Sequence, residues 1–132
     1  MPKHMFEDEW GEVIDRPEAG LIEIRWFDGT ATMSRAQFNA WLDNFAGLVE
    51  QTRRPGVLVD ATGFQMAMEH MDGEYRDANI IPRYNAAGVQ RFAFLMPAGM
   101  PAIGSPPAKE GPSDYLVAYF GRRADATAWL RG

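Results

Sequence analysis

The chain has 132 residues, a formal net charge of −5, 46% hydrophobic residues and no cysteine. That length bounds it to one domain with room for a buried core, and the composition excludes a wholly disordered chain. The acidic balance, without a basic run, argues against nucleic-acid binding, and the missing thiols exclude disulfides, thiolate metal sites and a cysteine nucleophile.

The first ten residues carry no apolar h-region, so no signal peptide is read there, and residues 1–9 are expected to fray. No apolar run approaches the length of a membrane span, so the expectation is a cytoplasmic protein without stable membrane insertion. Residues 11–16 and 21–27 read as strands, with Ile22, Ile24 and Trp26 alternating against Glu23 and Arg25. Pro17 and Gly20 between them supply hairpin-turn chemistry. Asp28-Gly29 ends the second strand.

The next element is the most strongly signalled. Ser34 is a helix N-cap, Gln37 completes a capping box, and Met33 and Phe38 occupy the positions of a hydrophobic staple. Phe38, Trp41, Leu42, Phe45, Leu48 and Val49 then form one apolar stripe, which predicts a helix over 34–52 stopped by Pro55-Gly56. The stripe reads as core facing a sheet. Gly56 to Asp60 is a continuous apolar run with β-branched residues, the pattern of a central parallel strand buried on both faces. Residues 61–64 read as a loop. A helix is expected from an Asp72 cap to a Gly88 terminus, kinked or split at Pro82, where one hydrogen bond is lost. Residues 91–96 form another buried strand. Residues 97–113 contain Pro97, Pro101, Pro106, Pro107 and Pro112 and predict a long loop; such loops in a compact domain are commonly functional or mobile. A strand over 115–120 and a helix over 122–131 complete the chain. The whole predicts a single α/β domain, a mixed sheet of about five strands with about three principal helices and right-handed crossovers.

The opening hairpin, the capped helix after Asp28-Gly29, the strand Val57 to Asp60 followed by Phe64, and the ending Tyr119-Phe120, Ala124 and Ala128-Trp129-Leu130 together carry a resemblance. The chain resembles the SpoIIAA-like family, with the STAS/SEC14-type fold shared with anti-anti-sigma factors. The resemblance implies a non-enzymatic module. STAS-type members bind partner proteins, and regulatory ones are phosphorylated on a hydroxyl just after the strand that here ends near Asp60; Thr62 is the only hydroxyl in that place. SEC14-type members hold apolar ligands and visit membranes.

Candidate chemistry is sparse. Ser34 reads as a cap, Ser105 and Ser113 sit in the proline-rich loop without a nucleophile-elbow sequence, and a triad through His70 with Asp60 or Asp114 rests on composition alone. Met66, Met68, His70 and Met71 offer soft ligands of the kind that suit Cu(I), but flexible methionines filling an irregular interior explain them better, and no metal or other cofactor is expected. Glu69 with Asp72, and Glu74 with Asp77, read as solvated helix charges. Asp60 ends a buried strand at the carboxyl edge of the sheet, where it caps the following turn or serves a ligand. No phosphate-binding glycine loop is present.

Two functional expectations follow, both non-enzymatic. The first is capture of a small apolar or lipid-like ligand under the 97–113 loop by Met66, Met68, Met71, Tyr75, Tyr84, Met96, Met100 and Ile103. The alternative is a protein-interaction or regulatory module using Asp60, Thr62 and Phe64. Exposed sheet edges give a route to a homo-oligomer.

Overall fold

The structure, a computed structural model, describes residues 1–67 and 71–132. Among these residues it is an α/β domain built on one six-stranded mixed sheet with strands in sequential order. β1 (Lys3–Glu7), β2 (Gly11–Arg16) and β3 (Leu21–Trp26) are antiparallel neighbours. β4 (Gly56–Asp60), β5 (Arg91–Leu95) and β6 (Leu116–Phe120) extend the sheet in parallel from β3. The principal helices among the described residues are α1 (Arg35–Thr52), an irregular helix over 73–87, and α4 (Arg123–Leu130).

The sixth strand corrects the expectation of about five. Within residues 1–9, expected to fray, Lys3–Glu7 forms a strand that pairs with β2 through a register shift between His4 and Phe6. A bulge of this kind breaks the alternation that marks a strand in sequence. Met5 and Phe6, adjacent in the chain, both pack against the core.

α1 begins as the sequence requires. Ser34 accepts from the Gln37 N–H, and the Gln37 side chain accepts from the Ser34 N–H at 2.8 Å. Phe45 and Val49 are fully buried and Phe38, Trp41 and Leu42 nearly so. Complete burial of a side chain such as Phe45 contributes about 1.5–3 kcal/mol before entropy is counted.

The irregular helix consists of α2 (Gly73–Tyr75), a π turn (Arg76–Ile80) and α3 (Ile81–Ala87). Asp72 caps it by accepting from the Tyr75 N–H, and Gly88 ends it in the left-handed region at φ 90°. The irregularity expected at Pro82 occurs one turn earlier. Pro82 lies in the first turn of α3, where no backbone donor is needed, and the Ile81 N–H reaches back five residues to the Arg76 carbonyl.

The sheet has two different faces. Two successive crossovers of one hand, advancing in one direction across parallel strands, place their helices on the same side. α1 and α3 accordingly share the face of Ile22, Ile24, Val57, Val59 and Phe92. α4 follows β6 and covers the other face, where Ala126 packs with Leu21, Leu58, Ala93 and Leu95. Among the described residues no helix is long and apolar enough to cross a membrane.

Candidate functional site

The third parallel crossover, from β5 to β6, contains no helix. Five prolines in 97–113 remove backbone donors and fix φ at intervals too short for a helix to form. The segment runs through turns and then pairs along the outer edge of β6, where Ala108 and Val117 exchange both backbone hydrogen bonds (3.1 and 2.8 Å). The edge strand is thereby partly covered. The space that a packed helix would fill above β5 and β6 stays open.

That space is a cavity of about 440 Å³. Its floor is a row of side chains crossing the sheet in register, Ile24, Val59, Phe94 and Tyr119, joined by Trp26, Phe92 and Val117. Phe38 and Leu42 of α1 and Ile81 and Tyr84 of α3 form one wall. Phe64, Met66 and Met71 close another side, and Met96, Pro97, Met100 and Glu110 form the roof. The lining is predominantly apolar and lies towards the carboxyl ends of the parallel strands, where open α/β sheets commonly place ligands.

Aromatic rings brace the floor. Phe94 and Tyr119 stack at 5.2 Å between centroids, Phe92 and Tyr115 at 5.6 Å, and Trp26 lies 5.3 Å from Phe64. Three phenols line the cavity. Burial pushes the pKa of Tyr84, Tyr115 and Tyr119 above the ordinary tyrosine range, and at Tyr119 the hydroxyl's bond to Glu110 adds to the effect.

Of the residues singled out in the sequence for an apolar ligand, Met66, Met71, Tyr84, Met96 and Met100 all line this cavity. Met68 lies outside the described residues, as does His70. Tyr75 and Ile103 do not line it. The Tyr75 hydroxyl donates to Asp43 on α1, a contact that raises the phenol's pKa, and Ile103 lies against Gly121. Sequence reasoning missed Trp26, Phe94, Arg76, Glu110, Tyr115 and Tyr119. The alternation in β5 and β6 already aligned Phe92 with Phe94 and Val117 with Tyr119, but not that the next connection leaves them uncovered.

Asp60, Thr62 and Phe64 are held by their neighbours. Asp60 accepts from the Thr62 N–H at 3.1 Å and hydroxyl at 2.6 Å, closing the turn after β4. Phe64 packs against Trp26 and Phe38 and contributes to the cavity wall. Gly63 fits flush against β3, since a Cβ there would lie 2.7 Å from the Trp26 carbonyl oxygen. The Ser113 hydroxyl is buried, donating to the Tyr115 carbonyl and accepting from the Glu110 N–H, which fixes the end of the roof.

Charges gather on the other face. Glu23 is fully buried; its Oε1 accepts from Arg16 Nε at 2.8 Å and from Arg123, a contact that also raises the Arg123 pKa. Arg25 lies 3.7 Å from Glu23 and 3.8 Å from Asp60. Arg16, Arg25, Arg123 and Arg131 border a polar groove of about 320 Å³ there. At the exposed edge, the His4 imidazole lies 3.1 Å from Glu7 and 3.4 Å from Glu12, so the three present ligand-type atoms close together, without enclosure. No protein family, curated protein or solved structure matches the chain.

Proposed function

We propose that this protein is a non-catalytic binding module that holds a small apolar or lipid-like molecule in the cavity beneath the 97–113 loop. One observation carries the reading: a mainly apolar cavity of about 440 Å³, roofed by a proline-rich crossover where a helix would otherwise pack. Its size falls in the range of about 300–1,000 Å³ common for small-molecule sites. The same reading groups the chain with SpoIIAA-like, STAS/SEC14-type modules, on the resemblance of its opening hairpin, capped α1 and Tyr119-Phe120 to Trp129-Leu130 ending. The interaction reading has less support, because Asp60 and Thr62 bond to each other and Phe64 packs on two aromatic rings.

Native mass spectrometry of freshly purified protein, beside the denatured chain, tests the proposal. The expected result is an added mass of a few hundred daltons that disappears on denaturation. Met96→Trp, which places an indole under the roof, should fold and lose that mass. Uptake by Met96→Trp equal to wild type would sink this site. A ligand-free wild type that also takes up no added apolar probe would sink the function.

A further inference from the structure

The cavity is not apolar throughout. Arg76, Glu110, Tyr84, Tyr115 and Tyr119 line it beside the hydrophobic residues. The Tyr119 hydroxyl is committed to Glu110. The hydroxyls of Tyr84 and Tyr115, whose rings lie 6.3 Å apart, have no hydrogen-bond partner among the described residues. The Arg76 Nε is buried and has no hydrogen-bond acceptor, although the side chain as a whole is 38% exposed; among the described residues its ion pair is a loose one from a terminal nitrogen to Asp77 Oδ1 at 3.7 Å, an oxygen that likewise makes no hydrogen bond. The Arg76 charge acts on all three phenols, opposing the burial that raises their pKa, so these groups share one neighbourhood.

The backbone explains how a cation reaches this place. Ile81 and Tyr84 face the cavity from α3. Counting back four residues from Ile81, as in a regular α-helix, gives Asp77. The π turn closes a five-residue bond from the Ile81 N–H to the Arg76 carbonyl, which places Arg76 under Ile81 instead. One extra residue in the turn exchanges a carboxylate for a guanidinium at the cavity wall. Such turns are frequent at functional sites.

Three donors at the cavity, one of them cationic and none with a hydrogen-bond acceptor among the described residues, suit a ligand rich in acceptors. A carboxylate satisfies a guanidinium edge and neighbouring hydroxyls together. Two carboxylates, Asp77 beside Arg76 and Glu110 on Tyr119, also stand near, and they disfavour a second negative charge. We infer that the ligand is a monoanionic apolar acid whose carboxylate sits on Arg76, Tyr84 and Tyr115 while its hydrocarbon part lies over Phe94 and under Met96. This assignment rests on the binding function proposed above and narrows it from apolar molecules in general to carboxylic acids.

Calorimetric titration with tetradecanoic acid and with tetradecan-1-ol, chains of equal length with different heads, separates the two claims. The wild type should bind the acid about tenfold or more tightly than the alcohol. Arg76→Met, which keeps an apolar stem, should bind both equally, with the alcohol unchanged. Tyr115→Phe keeps the ring and removes one donor, so it should weaken the acid alone by a smaller factor; it serves if Arg76→Met does not fold. Equal binding of acid and alcohol by the wild type, or an acid preference unmoved by these variants, would overturn the assignment to a carboxylate and leave the cavity function standing. Binding of neither probe would overturn both.

Discussion

The two faces of the sheet bury polar groups in opposite ways. Under α4, buried charge meets opposite charge: Glu23 Oε1 accepts from Arg16 and Arg123, Glu23 Oε2 makes no hydrogen bond but has Arg25 at 3.7 Å, and Leu21, Leu58, Ala93, Leu95 and Ala126 pack beside them. On the α1 and α3 face, aromatic and aliphatic side chains pack together and leave a cavity, and among the described residues the buried Nε of Arg76 and the hydroxyls of Tyr84 and Tyr115 have no hydrogen-bond partner. A buried donor left unpaired costs about 1–3 kcal/mol, so a native fold keeps one where something else supplies the acceptor. The contrast is between charges that face opposite charges and donors that face a cavity.

Alkaline pH should test the cavity face most severely. Tyr84, Tyr115 and Tyr119 have folded pKa values raised, chiefly by burial, above an unfolded value of about 10. The folded state therefore keeps protons that the unfolded chain releases. Their contribution to stability is fully present below about pH 10 and is lost as pH rises towards the folded values. Tyrosinate absorbance should appear together with loss of near-ultraviolet circular dichroism. Ionisation of these phenols in a chain that stays folded would show the cavity to be wet and the contrast to be false.

The α4 face should break on a single charge. Glu23→Gln leaves Arg16 and Arg123 facing a neutral group and should destabilise the protein by about 3 kcal/mol, at the low end for buried pairs because the arginines reach solvent. Urea unfolding measures this, and ligand uptake should persist wherever the chain is folded. A loss below about 1 kcal/mol, the value of an exposed pair, would mean that apolar packing alone holds α4. The smallest effect belongs to neither face. Ser34→Ala removes the α1 cap at the cost of about 1 kcal/mol and should leave both the alkaline transition and the acid preference unchanged. A change in either would show that the start of α1 shapes the cavity.

Local signals made much of this fold legible. The capping box at Ser34 and Gln37, the stripe from Phe38 to Val49, the Asp72 cap and the Gly88 terminus all involve residues a few positions apart, and each element formed where they indicated. β1 was hidden because its bulge puts Met5 and Phe6 on the core side together, which spoils the two-residue period. The π turn was hidden because Pro82 suggests a break at itself, whereas the adjustment falls in the residues before it.

The candidate site was legible only in part, for a related reason. Met66, Met71, Tyr84, Met96 and Met100 stood out as apolar residues around a loop, and the cavity contains them. Tyr75 and Ile103 stood out equally and went elsewhere, because apolar character does not specify which neighbour is nearest.

By itself the sequence determined a single α/β domain, its order of strands and helices from β2 onwards, and a β5–β6 connection too rich in proline to be helical; these follow from backbone chemistry and residue period. Tertiary structure alone decided that α1 and α3 share one face, that the non-helical connection leaves a cavity over Phe94 and Tyr119, and that Arg76 rather than Asp77 stands at its wall. Those outcomes depend on strand order, crossover hand and one extra residue in a turn, all of which bring together groups far apart in the chain.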